Sequence, residues 1–332
     1  MATANRIFYA VKQVGITTMG SNTFTSVHGL QSVGINTTFN LEQVFEIGQI
    51  SIYQNIENIP DVEVTLEKVL DGYPLIYHLA TVGATSATLS GRQNRRATIG
   101  LSVYTDSQDS ASGTPTNQCT LSGVYVSSLS YTFPTEGNCS EQVTFVGNNK
   151  VWNNTFTATA FNNNDTPSFA SGVLRRQHVL MGSGQTKLPN DMPGIRSDNY
   201  NYNSGNTFEA HIQSIRISTN LGRDALYELG RRDPYFRYAT FPVEVRTEIE
   251  QLYCGGNGIT AQEDAVSNVT SQPIRIKTQD GGIFDLGTQN KMSTEGFGGG
   301  NAGRGGGNDT LTYTYITYND FTITHPQDPS GL

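Results

Sequence analysis

Residues 31–48 read QSVGINTTFNLEQVFEIG, and residues 213–230 read QSIRISTNLGRDALYELG. The two stretches align without a gap. Gln31, Ser32, Thr37, Glu46 and Gly48 meet the identical Gln213, Ser214, Thr219, Glu228 and Gly230. Val33, Ile35, Val44, Phe45 and Ile47 meet the apolar Ile215, Ile217, Leu226, Tyr227 and Leu229. After a variable stretch the match resumes with IPDVEVTLEKVL at 59–70 and FPVEVRTEIEQL at 241–252. Pro60 and Pro242 each precede an alternating run that carries Val-Glu-Val, and the copies then differ by one residue, Asp61. Identity, apolar pattern and proline placement agree together, which points to a duplicated β-rich unit. Two similar edges of one sheet are the plainer alternative.

A period of two assigns the faces of these runs. In the first, Val62, Val64 and Leu66 oppose Glu63, Thr65 and Glu67; in the second, Val243, Val245, Thr247 and Ile249 oppose Glu244, Arg246, Glu248 and Glu250. One face is then core and the other polar. The spacing over Gly222 to Gly230 predicts a short helix stopped by Gly230 and Pro234, and Asn40 to Gly48 predicts its counterpart. Residues 121–133 and 141–152 read as paired strands around a PTEGN turn, and 310–324 alternates Thr with Tyr and Ile. The expected division is an N-terminal arm (1–20), a first β unit (21–157), a connector (158–207) with one ordered element near Val173 to Leu180, and a second β unit (208–332). The glycine-rich run at 296–307 falls between strand patterns and reads as a hairpin tip.

Composition fits a folded mainly β chain: 36% hydrophobic, 10% aromatic and only 15% charged. The net charge of −8 argues against a surface that grips nucleic acid, although an acidic wall would let DNA pass without holding it. Met1 to Ala10 lacks a continuous apolar stretch of signal-peptide length, and no run is long enough to span a membrane. Cys119, Cys139 and Cys254 form neither a disulfide framework nor a metal knuckle. Cys119 and Cys139 could meet on neighbouring strands, but free thiols are the expectation.

No catalytic constellation stands out, and neither an enzyme nor a bound cofactor or metal is expected. His28, His78, His178, His211 and His325 are scattered. The glycine run lacks the lysine of a phosphate loop, and the acid pairs Asp106/Asp109 and Asp191/Asp198 are what 29 acidic residues produce by chance. Asn36 and Asn164 open N-x-S/T triplets that carry no weight here. A glycan-binding reading would rest on Tyr200, Tyr202 and Trp152, but Trp152 lies on an alternating strand and is expected in the core.

The second copy continues as RDALYELGRRDPYFRYATFPVEVRTEIE at 223–250. This run resembles the tail tube proteins of contractile-tailed bacteriophages. The likeness is carried by Glu228-Leu229-Gly230, by Pro234-Tyr235-Phe236-Arg237-Tyr238 and by Phe241-Pro242-Val243-Glu244-Val245. Stretches at 5–16, 59–81 and 127–152 are similar to the same family, so both halves are touched. The resemblance implies a tube-type β-barrel or sandwich with short flanking helices. Its subunits form six-fold or pseudo-six-fold rings that stack into a hollow tail tube in the virion, assembled in the host cytoplasm. The implied partners are the chain itself, the sheath protein, the tape-measure protein, and baseplate and terminator proteins, with DNA passing through unbound. Glu46, Gly48, Pro60, Glu228, Gly230, Pro234, Tyr235, Arg237, Tyr238 and Pro242 are the structural motif. Glu63, Glu67, Glu244 and Glu248 are the candidates for the lumen, with a solvated sheet face as the alternative. A duplicated chain is long for such a subunit, so three chains or six could complete a ring. A baseplate hub or tail terminator of related fold is the alternative role.

Overall fold

The computed structural model describes residues 7–105, 107, 111, 113–153, 161–162, 165–170, 172–181, 184–189, 192, 211–252, 270–299 and 307–332. In chain order its strands are β1 Lys12–Thr18, β2 Thr25–Ser26, β3 Leu30–Thr38, β4 Leu41–Phe45, β5 Ile52–Glu57, β6 Asp61–Val69, β7 Ala97–Val103, β8 Asn117–Pro134, β9 Ser140–Gly147 and β10 Asn149–Asn153. They continue as β11 His211–Asn220, β12 Arg223–Leu226, β13 Phe236–Ala239, β14 Glu244–Leu252, β15 Arg275–Lys277, β16 Ile283–Asp285, β17 Lys291–Gly298, β18 Thr310–Tyr318 and β19 Thr322–Thr324. Among the described residues the α-helices are the short α1 Ile76–Ala80 and α2 Leu89–Arg92. The fold is mainly β, as the composition and alternation predict.

The alternating runs assemble into one long antiparallel sheet with the order β3-β6-β9-β8-β11-β14-β18-β17. The order is the same four-strand pattern used twice. In each half the first two strands pair, and the last strand lies between the second and the third. The irregularities repeat as well. β3 is bulged between Leu30 and Ser32, and β11 between Ile212 and Ser214. β8 is bulged between Val126 and Ser128, and β17 between Met292 and Thr294. A bulge inserts a residue at one fixed place in a ladder. Two matched bulges in matched strands therefore identify a duplicated unit rather than two chance edges.

The register corrects one detail of the repeat. Thr37 faces Val62 and its counterpart Thr219 faces Val245, so Val62 corresponds to Val245 rather than Val243. Val243 is the additional residue, not Asp61. Sliding the match by two residues leaves each side chain on its face, which is why the alternation could not reveal the shift.

β8 is shared between two sheets. Its first half pairs β7 and β10, and its second half pairs β9 and β11. Gly123, at φ +70°, sits where the strand passes from one to the other. The short sheet runs β2-β1-β7-β8-β10. Together with α1 and the three-stranded sheet β15-β16-β19 it encloses one hydrophobic core against the long sheet. Val64, Leu66, Phe145, Tyr131, Ile217, Ile249, Tyr313 and Tyr315 supply the long sheet's side of that core, all buried. Phe284 packs its ring on Tyr131 and Phe133 from the small sheet, with centroids 4.7 and 5.2 Å apart.

Buried polar groups in this core are tied down. The Glu141 carboxylate accepts from the backbone N–H of Ile76 at 2.7 Å and Tyr77 at 3.1 Å, and from the Tyr131 hydroxyl at 2.8 Å. It thereby anchors the start of α1 against the sheet. The Arg92 guanidinium pairs with Asp328 and donates to Thr81 Oγ1 at 2.9 Å, holding the segment after β19 against α2. His78 Nε2 lies 3.2 Å from the Ile323 carbonyl oxygen.

Four expectations change. Asn40–Gly48 and Gly222–Gly230 hold no helix: β4 pairs β5 and β12 pairs β13 as hairpins, because paired backbone bonds over alternating residues outweigh a weak helical spacing. The short helices lie elsewhere, in α1 and α2. Residues 12–18 of the expected N-terminal arm are strand β1, paired with β2 and β7. Trp152 is 53% exposed although it lies opposite the buried Cys119, because among the described residues β10 pairs only β8 and forms the edge of its sheet. Cys119 and Cys139 are buried free thiols, and burial pushes the Cys139 thiol up to about 12. The expected ordered element near Val173 to Leu180 contains a 3-10 turn at Arg176–His178.

Candidate assembly surface

Each half of the sheet extends its first hairpin into a projecting arm. In the first arm Leu41 faces Glu57 and Val44 faces Gln54; in the second Arg223 faces Ala239 and Leu226 faces Phe236, which are the matching positions. The closing bonds match too. Asn58 N donates to the Asn40 carbonyl at 2.8 Å, and Thr240 N to the Gly222 carbonyl at 2.9 Å. At the tips, Gln49 N donates to the Glu46 carbonyl and Arg231 N to the Glu228 carbonyl, both at 3.4 Å. Gly48 (φ +102°) and Gly230 (φ +83°) occupy the third turn position, where a side chain would be strained. The Glu46 carboxylate accepts from Gln49 Nε2, and Glu228 pairs with Arg231 at 3.2 Å. The Glu-x-Gly motif is therefore a tight turn that presents its middle residue outward.

That middle residue is apolar in both arms. Ile47 and Leu229 are fully exposed, at 103% and 104%, and Ile50 matches them at 103%. Phe45, Tyr53, Tyr227, Tyr235 and Tyr238 are exposed along the same arms. Apolar groups gathered this way on projecting hairpins mark a contact surface. The arms are also held in place. Arg237, itself buried, donates to Asp61 and to Asn148 Oδ1, and so ties the second arm to the base of the first. Asn40 Nδ2 donates to Asp61 at 3.0 Å, and Arg232 donates to the Glu57 carbonyl at 3.1 Å. Burial works to raise the Asp61 carboxyl, but hydrogen bonds from Asn40, Arg237 and Asn148 outweigh it and hold the group below the usual range. Pro60 and Pro242 stand between an arm and its returning strand, and the Phe241–Pro242 bond is cis. Pro234 and Tyr235 line a cleft with Arg96, Tyr125 and Arg237.

The second surface is the face of the long sheet opposite the core. Cross-strand pairs place Asn36, Glu63, Thr65, Glu67, Gln142, Thr144, Ser130, Thr132, Arg216, Ser218, Arg246, Glu248, Glu250 and Thr312 on it. Ser32 Oγ donates to Glu67 at 3.3 Å, and the corresponding Ser214 Oγ to Glu250 at 3.1 Å. Glu63, Glu67, Glu244 and Glu248 all lie on this one face, where Arg246 pairs with Glu248 at 3.1 Å. The carboxylates outnumber the guanidiniums of Arg216 and Arg246, so the face is acidic.

The arms' exposed tips were missed by reading Glu-x-Gly as a helix end. The alternation of Gln49-Ile50-Ser51-Ile52-Tyr53 directly after Gly48 was the available sign of a hairpin. Asp106, Asp109, Asn164, Asp191, Asp198, Tyr200, Tyr202 and Cys254 lie outside the described residues, as do residues 1–6, 300–306 and much of 158–207. Among the described residues no cluster of His, Cys, Asp and Glu has metal-binding geometry.

No protein-family model matches this chain, and no curated protein matches it. Among solved structures, a match is the tube-terminating cap of the anti-feeding prophage, determined by electron cryo-microscopy. It is 13% identical with a TM-score of 0.34, and the match covers 47% of this chain and 95% of that one. At that score neither fold nor function is taken from it.

Proposed function

We propose that this protein is a structural subunit of a phage-type contractile tail that stacks on copies of itself to build the hollow inner tube. The observation that carries this reading is the pair of matched arms, which hold Ile47 and Leu229 wholly in solvent on braced hairpins. A monomer gains nothing by such an arrangement, whereas a neighbouring copy that covers the tips gains their burial. Contacts of this kind are heterologous and propagate along an axis. The acidic sheet face, with Glu63, Glu67, Glu244 and Glu248, suits a bore that DNA traverses without sticking, because like charges repel. The role is structural rather than catalytic. Sheath, tape-measure, baseplate and terminator proteins follow as partners from the family resemblance, and the virion tail as location.

Negative-stain electron microscopy of the purified protein tests the reading. Long uniform tubes are expected. Closed rings that never stack would move the assignment to a hub or terminator, and a monomer at high concentration would end it.

A further inference from the structure

The face of the long sheet away from the core is acidic, and the layer on the other side of the core is basic. That layer is the small sheet β15-β16-β19, widened along β15 by residues 184–189. Its inner side rests on the long sheet through Phe284 and Tyr131. Lys187 and Arg275 exchange both backbone bonds, at 2.7 and 2.9 Å, so they lie directly opposite and their side chains share a face. Burial says which face. Thr186, Leu188, Ile274 and Ile276 are buried, whereas Lys187 is exposed and Arg275 and Lys277 are half-buried. Leu180 N donates to the Lys277 carbonyl at 2.9 Å, which brings the exposed Arg175 and Arg176 alongside.

We propose that this basic layer is a docking surface for an acidic protein that encloses the wall of the assembly from outside. The proposal rests on the self-assembly reading, which turns the acidic face toward the bore and so leaves this layer outermost.

Charge placement carries it. Like charges directly opposite on paired strands are destabilising, yet Lys187 stands opposite Arg275. Arg275 has a use within the chain: its guanidinium donates to the carbonyls of Gly184 and Gln185, both at 3.2 Å. The side chains of Arg175, Arg176, Lys187 and Lys277 form no ion pair among the described residues. The acids of the layer are Asp285, across from Arg275, and Asp320, close enough to Asp285 to feel its charge. They are fewer than the cations. In a chain of net charge −8 such a surplus is not what composition supplies. A monomer gains nothing by gathering these cations, whereas an acidic partner neutralises them. DNA is the poorer fit, because in the tube reading it travels on the other side of the wall.

Co-sedimentation of fluorescent poly-L-glutamate with tubes of the full chain tests this. Wild-type tubes should retain the probe at low salt and release it at about 1 M salt, where the Debye length is about 3 Å. Lys187→Glu should weaken retention several-fold, and Arg176→Glu with Lys187→Glu should abolish it. Lys12→Glu, an equal charge change at an exposed lysine on β1, should leave retention unchanged. All these side chains are exposed, so the variants should assemble and melt as the parent does. Tubes that retain no probe, or that lose it equally in Lys12→Glu, would overturn the docking surface and leave the tube reading standing. Stronger retention of short duplex DNA, lost in the Lys187 variants, would overturn it in favour of a nucleic-acid site. A protein that stays monomeric would overturn the tube reading and with it the outermost placement of this layer.

Discussion

Replacing Ile47 and Leu229 together by serine separates assembly from folding. Both side chains stand wholly in solvent, so the isolated chain loses no packing and its thermal midpoint should not move. Association is another matter. Full burial of a Leu or Ile side chain stabilises by about 1.5–3 kcal/mol, so two tips carry at most about 3–6 kcal/mol per chain. A neighbour that covers roughly half of each leaves about 1.5–3 kcal/mol, which corresponds to roughly a 10- to 150-fold rise in the critical concentration for polymerisation. Light scattering over a dilution series reads that concentration directly, with electron microscopy to confirm tubes. An unchanged critical concentration would refute the assignment of the tips to the stacking contact. A large fall in thermal midpoint would show instead that the tips pack within the chain.

Arg237→Ala should cost about 1–2 kcal/mol in urea unfolding, since it strips Asp61 and Asn148 of a shared donor at a site where Asp61 is half-exposed; Arg237→Lys should recover only part, because one ammonium cannot fork to both. Asp328→Ala should cost about 3–5 kcal/mol in the same measurement, leaving the fully buried Arg92 without its counter-charge. Burial, opposed by Asp328, lowers His78 from the usual 6.5 to about 3, so its unfolded form takes up a proton first as the medium acidifies. Stability is therefore full above about pH 6.5 and is lost as pH falls toward 3, by at most about 1.4 kcal/mol per unit from this residue, and His78→Gln should flatten that part of a urea-midpoint-versus-pH curve. Gly230→Ala should cost about 1–2 kcal/mol through backbone strain alone, because no atom lies within 4 Å of the added methyl group; differential scanning calorimetry reads the change.

Much of the sheet was legible because its residues alternate. Val62, Val64 and Leu66 announce a core face in any register, and the structure buries all three. The acidic candidates were sorted to a single face by the same rule. What alternation cannot supply is the partner. That β8 joins β11 depends on residues 128–134 meeting 214–220, and no local pattern encodes so distant a pairing. The arms failed for a related reason. Asn40–Gly48 is short enough to satisfy helical and strand spacing at once, and the returning strand β5 decides the matter. Arg237 was singled out by its motif, but its partners Asp61 and Asn148 belong to the other unit and could not be named from the sequence. Trp152 shows the limit of alternation at an edge: β10 pairs β8, yet the residue faces solvent.

Fusing the two units in one chain lets the two arms diverge. The first arm ends in Ile47-Gly48-Gln49-Ile50, which is uncharged, whereas the second follows Leu229-Gly230 with Arg231, Arg232 and Asp233. Around any wall built from whole chains these tips must alternate, odd positions greasy and even positions salted. A binding partner that needs the basic pair then finds a seat at every second step, half as many as there are units. In the proposed assembly, duplication would give a lower true symmetry than the backbone suggests and two distinct addresses from a single polypeptide.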